Sequence, residues 1–243
     1  MKRQDKQQSK QKKGLWIIPV VALLSVVIVF LIYVEQYYHA DETALEALKT
    51  EDAVSVVKTE YGWLFDGPSE TDAMIFYPGG KVEETAYAPL LRCLAEKGMD
   101  VCLVRMPFRL AVFGENKADQ VITRYNYSNW YIGGHSLGGL IAADYAADHS
   151  SQLTGVIMLA AYPTKPLSEK LRSIIIYGSE DRVLNRKRME EANRYLPNNS
   201  EKFIIEGGNH AQFGNYGDQS GDGIAAISSE EQQNQAVKII MKK

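Results

Sequence analysis

Ser136, Asp181 and His210 are the residues whose types and order along this chain could cooperate in nucleophilic chemistry. Residues 133–139 read Gly-Gly-His-Ser-Leu-Gly-Gly, placing Ser136 in a G-x-S-x-G pattern between an apolar run ending at Ile132 and a small-residue stretch over 140–147. A strand that turns this sharply into a helix strains its central residue, and it needs glycine at 134 and 138, where a Cβ would strike the adjoining strand or helix. His135 fills the variable position of the elbow. The hydroxyl is then presented above the carboxyl edge of a sheet, where it can attack a carbonyl once a base takes its proton.

The base and its orienting acid follow in chain order. Residues 173–177, Ser-Ile-Ile-Ile-Tyr, lead into Gly-Ser-Glu-Asp at 178–181, and residues 202–205, Lys-Phe-Ile-Ile, lead into Gly-Gly-Asn-His at 207–210. Each is a short β-branched run ending in a turn. Of the four histidines, His39 adjoins an apolar segment, His135 lies in the elbow and His149 closes the helix after Ser136; only His210 follows a late strand. Asp181 is preferred as the acid over Glu180 because it stands one residue further around the turn.

These side chains need a rigid platform. After a hairpin over 54–59 and 63–65, strands are expected at 73–77, 100–104, 129–133, 155–160, 173–177 and 202–205. They alternate with helices at 84–97, 116–124, 137–149, 185–195 and 228–242. Such alternation is the signature of βαβ units and a mostly parallel sheet with helices on both faces. Gly138, Gly139, Ala142, Ala143, Ala146 and Ala147 let the helix after Ser136 approach the sheet closely. Only about twelve residues, 161–172, separate the fourth and fifth of these strands, which predicts an open cleft without a large lid.

The elbow at Ser136, the Gly-Ser-Glu-Asp-Arg-Val turn holding Asp181, and Asn209-His210 resemble the α/β-hydrolase superfamily over roughly residues 54–243. Pro78-Gly79-Gly80-Lys81 and the run from Asn209 to Gly217 are similar to a membrane-anchored bacterial branch described as dienelactone-hydrolase-like. The resemblance implies an α/β-hydrolase fold and a serine hydrolase acting on carboxylic esters. It also implies an oxyanion hole built from the Leu137 N–H and a loop amide, Gly80 or Lys81. Amide or peptide hydrolysis, acyl transfer to another acceptor, and a non-catalytic binding protein on the same fold are the alternatives. No metal or organic cofactor is implied. Many members carry His-Gly where this chain has Tyr77-Pro78-Gly79, and the cysteine nucleophile of true dienelactone hydrolases is replaced by serine.

Composition bounds the partners. The chain has 243 residues and a formal charge of −3, but six of its basic side chains precede Gly14. The remainder carries about −8, which argues against nucleic acid as a partner. Residues 15–34 hold no charge and, as a helix, would span about 30 Å, one bilayer crossing. The basic residues before this segment and the acidic ones after it place the amino terminus inside and the rest of the chain outside. A retained anchor is favoured over a cleaved signal because the apolar run is long. The expected organisation is a cytoplasmic tail at 1–14, an anchor at 15–34, a stalk at 35–52 and a catalytic domain at 53–243, exposed to small-molecule or cell-surface esters. Cys93 and Cys102 are expected as buried thiols, with a bridge between them less favoured. Arg105 and Arg109 are either paired surface charges or contacts for an anionic substrate.

Overall fold

A computed structural model of the chain describes residues 17–50 and 53–242. The basic tail, Leu15, Trp16, Glu51 and Asp52 lie outside the described residues. Two compact units are present, Met1–Tyr37 and Tyr38–Lys243. In the first, α1 (Ile17–Glu35) is a single helix. Its window Ile18–Glu35 has a mean hydropathy of 2.6, long and apolar enough to cross a membrane.

The second unit is built on an eight-stranded sheet. In chain order its elements are α2 (Glu42–Glu46), β1 (Ser55–Lys58), β2 (Gly62–Asp66), β3 (Asp72–Tyr77), α3 (Ala88–Glu96) and β4 (Asp100–Val104). There follow α4 (Lys117–Ile122), β5 (Asn129–His135), α5 (Leu137–Asp148) and β6 (Gly155–Leu159). Last come β7 (Arg172–Gly178), α6 (Arg186–Glu191), β8 (Glu201–Ile205) and α7 (Ser229–Ile240). The strand order is β1-β2-β4-β3-β5-β6-β7-β8. β2 runs antiparallel to both its neighbours, and every pairing from β4 through β8 is parallel.

The alternating side chains of each strand feed two apolar layers. Met74 and Phe76 of β3 face one layer with Leu90, Leu91 and Leu94 of α3 and Val237 and Ile240 of α7. Ile75 and Tyr77 face the other with Val121 of α4 and Ala142, Ala143 and Ala146 of α5. The alanines of α5 bring its axis close to the sheet, and that closeness places the helix N-terminus against the end of β5.

Three expectations need correction. β5 continues two residues beyond Gly133, because Gly134 and His135 still pair with Met158 and Leu159 of β6. The helix expected at 84–97 begins as a 3-10 turn, Glu84–Tyr87, and becomes α-helical at Ala88. Pro89 explains the change, since it lacks an N–H and suits the first α-helical turn. Finally, the segment expected as a stalk is built into the folded unit from Tyr38 onward. Tyr38 bridges to Val82, its N–H reaches Lys81 C=O at 2.8 Å, and the Asp41 N–H reaches Asn215 C=O at 2.9 Å. Both cysteines are free, and burial pushes the Cys102 thiol up to about 12.

Candidate active site

β5 ends at His135 and α5 begins at Leu137, so the chain reverses direction within one residue. That residue is Ser136, with φ 52 and ψ −122, a region that costs a non-glycine residue of order 1–3 kcal/mol and persists only where surroundings enforce it. The enforcement is visible. The Ser136 N–H donates to Leu159 C=O at 2.9 Å and its C=O accepts from Leu140 N–H at 3.0 Å. A Cβ at Gly134 would lie 2.5 Å from Tyr77 O, and one at Gly138 would lie 2.2 Å from both Tyr77 O and Pro78 O. Neither position admits a side chain without moving backbone.

Asp181 and His210 come from the loops after β7 and β8. His210 Nδ1 and Asp181 Oδ2 are 2.8 Å apart, and the two residues are 2% and 3% exposed. The other carboxylate oxygen, Oδ1, accepts the N–H groups of Val183 at 2.9 Å and Leu184 at 2.8 Å. The acid is therefore anchored by its own loop and oriented toward the imidazole. Glu180 accepts from Ser179 Oγ instead, and its N–H donates to Gly208 C=O at 2.8 Å. It stitches the two loops together through its backbone.

The far nitrogen of His210, Nε2, is buried without a hydrogen-bond partner among the described residues. Such a group is costly unless it serves chemistry. Ser136 and His210 both line one cavity of about 240 Å³, with Leu140, Ala161, Tyr162 and Leu184. No hydrogen bond joins Ser136 Oγ to Nε2 in this structure; in unliganded sites such contacts often tighten only with substrate.

Leu137 is the first residue of α5, so its N–H has no intrahelical partner and points from the positive end of the helix. Gly80 packs beside it: a Cβ at Gly80 would lie 2.9 Å from Leu137 Cδ2. Of the two loop amides expected from sequence, that of Lys81 is already donated to Arg109 C=O at 2.9 Å, which removes it as an oxyanion donor in this conformation. Gly80 N–H has no partner among the described residues. Arg105 is paired with Glu84 at 2.7 Å.

Residues without an obvious local signal hold the histidine loop. The Gln232 side chain of α7 accepts from Asn209 N–H and donates to Asn209 C=O, each at 2.9 Å. Asp222 accepts the Ala211 N–H through Oδ2 at 2.9 Å and the Arg182 N–H through Oδ1 at 3.3 Å, tying the His210 loop to the Asp181 loop. The signal available for Gln232 was a glutamine four residues before Ala236, on the buried side of the last helix.

Comparison with known proteins agrees with this architecture. The family model described as "Alpha/beta hydrolase family" matches residues 73–234. Among solved structures, a predicted CIB-like hydrolase from Thermoplasma acidophilum has TM-score 0.58 and 13% identity, covering 77% of this chain and 99% of its own. A monoacylglycerol lipase from Paleococcus ferrophilus has TM-score 0.56 and 14% identity, covering 79% and 99%. Est1E from Butyrivibrio proteoclasticus has TM-score 0.53 and 13% identity, covering 78% and 98%. At these identities the likeness concerns the fold. No curated protein matches the chain significantly. With the family matched across the sheet from β3 into α7, the chain belongs to the alpha/beta hydrolase family of hydrolases.

Proposed function

We propose that the protein is a membrane-anchored serine esterase. One observation carries the reading: a buried Asp181–His210 pair bonded at 2.8 Å, whose far nitrogen has no partner among the described residues beside the cavity that Ser136 lines. His210 Nε2 takes the Ser136 hydroxyl proton as Oγ attacks the ester carbonyl, and Asp181 stabilises the imidazolium that forms. The carbonyl oxygen becomes an oxyanion met by the N–H groups of Leu137 and Gly80. As the acyl–oxygen bond breaks, His210 returns its proton to the leaving alkoxide. Water, deprotonated by the same imidazole, attacks the acyl carbon; the acyl–Oγ bond then breaks, the acid leaves, and His210 returns the proton to Ser136 Oγ. The sequence requires neither a metal nor an organic cofactor.

Esters are favoured over amides because an alkoxide needs less protonation to leave than an amine. The cavity supports a short acyl group: about 240 Å³ is smaller than the roughly 300–1,000 Å³ of sites that enclose drug-sized ligands. The apolar helix and the charges flanking it support a single-pass protein whose active site faces outward, toward small or cell-surface esters. The loop sequences around Gly80 and His210 support the dienelactone-hydrolase-like branch. Kinetics on p-nitrophenyl esters from acetate to decanoate test the reading. Turnover highest for the short members, abolished in Ser136→Ala and lowered at least about a hundredfold in His210→Ala, is expected. A folded wild-type protein that leaves the whole series intact, or turnover that survives in Ser136→Ala, would overturn it.

A further inference from the structure

We propose that Tyr87 and His135 act together as a positioning pair that pins the oxyanion loop to the elbow and braces the ring of His210; this rests on the serine-hydrolase reading above. The Gly79 N–H donates to Tyr87 Oη at 3.0 Å, and the same oxygen lies 2.8 Å from His135 Nδ1. Both side chains are buried, Tyr87 at 0% and His135 at 1% exposure. Burial holds the phenol protonated, and its lone O–H needs an acceptor. His135 Nδ1 is the acceptor at hand, which places the ring's proton on Nε2, buried without a hydrogen-bond partner among the described residues.

The direction of these bonds has consequences for three loops. Gly79 N–H is donated to Tyr87 and Lys81 N–H to Arg109, and Gly80 between them, beside Leu137, has no N–H partner among the described residues. Tyr87 thus takes the Gly79 amide, one of the three in this loop, out of play. A Cβ at Gly79 would lie 2.6 Å from Tyr87 Oη and 2.9 Å from His135 Nδ1, so the loop rests directly on the pair. On the other side, the rings of His135 and His210 are 4.6 Å apart, with Phe213 packed 5.6 Å from His135. The titratable groups facing His135 are Tyr87 and His210. Burial first, and the charge on His210 second, hold the His135 imidazole well below its usual value, against a smaller opposing influence of the His210 backbone. His135 therefore stays neutral while its neighbour cycles through the charged form, bracing that ring without opposing the charge it must carry.

The test compares Tyr87→Phe, His135→Leu, His135→Asn and the double variant Tyr87→Phe/His135→Leu in the full-length, detergent-solubilised protein. Rates on a short-chain p-nitrophenyl ester are referred to sites titrated with a fluorophosphonate, so that only competent protein is counted. Tyr87→Phe and His135→Leu should each lower kcat about 10- to 100-fold, the scale of a small misplacement of reacting groups, with KM changed less than about threefold. His135→Asn, whose Oδ1 can accept the tyrosine proton, should recover most of that loss. The double variant should be no slower than the worse single. Wild-type kcat in His135→Leu, an Asn variant as slow as the Leu variant, or multiplying losses in the double variant would overturn the pairing. A kcat/KM profile that loses an acid limb in His135→Asn would show that residue 135 titrates and overturn its neutral role. If Tyr87→Phe does not fold, the two His135 variants carry the same comparison. Failure of the wild-type protein to react with ester or fluorophosphonate is a different outcome and refutes the parent reading.

Discussion

The two oxygens of Asp181 have separate tasks, one on the imidazole and one on the Val183 and Leu184 amides. Asp181→Asn preserves the shape but turns one acceptor into an N–H donor, so either the loop or the histidine tautomer is lost. We expect kcat to fall about 10³- to 10⁴-fold, as for triads in which the acid becomes an amide, with Tm within a few degrees of wild type. His135 adds a pH signature. Its folded value lies below 6.5 and the unfolded ring titrates near 6.5, so below that point the unfolded chain binds a proton that the folded chain refuses. Stability from this residue is complete above about pH 7 and is lost as pH falls. Thermal melts between about pH 7.5 and about pH 5.5 should show a falling Tm, with a shallower slope in His135→Asn; equal slopes would refute the assignment.

The elements position the site through contacts that differ in how plainly they are written in the sequence. β4 was legible because residues 101–104, Val-Cys-Leu-Val, are a continuous apolar run, and Ser136 was legible because the elbow pattern is local. The end of β5 beyond Gly133 was not, since Gly134 carries little strand preference and it and His135 become strand through pairing with β6. The supports of the site were harder still. Tyr87 meets His135 across 48 positions, Gln232 meets Asn209 across 23 and Asp222 meets Ala211 across 11, so no short window contains any of the three pairs. Residues 42–46 gave a different difficulty: their helix was read as part of a stalk, whereas its neighbour Asp41 is bonded to Asn215 of the histidine loop. Gln232→Ala tests the element scale. It leaves the N–H and C=O of Asn209 buried without partners, each costing about 1–3 kcal/mol. A Tm drop of several degrees together with reduced kcat is expected from melts and ester assays; a lower Tm with unchanged kcat would show that α7 supports the fold and not the histidine loop.

For the whole molecule, the chain divides into an apolar helical unit and a larger hydrolase unit, and the proposed topology, argued from the charge bias around the helix, puts the larger one outside. Protease added to intact cells should remove residues after about 38 while leaving a membrane-retained amino-terminal fragment; a fully protected carboxyl unit would reverse the topology. The central claim is that Ser136 is a nucleophile activated by His210 and Asp181. Its most direct measurement is the site of fluorophosphonate attachment, read by mass spectrometry on the full-length protein and on Ser136→Ala and His210→Ala. One adduct is expected on the peptide holding Ser136, absent in the serine variant and formed at least about a hundredfold more slowly in the histidine variant. Folded wild-type protein that takes up no label, or label that persists at wild-type rate in either variant, would contradict it.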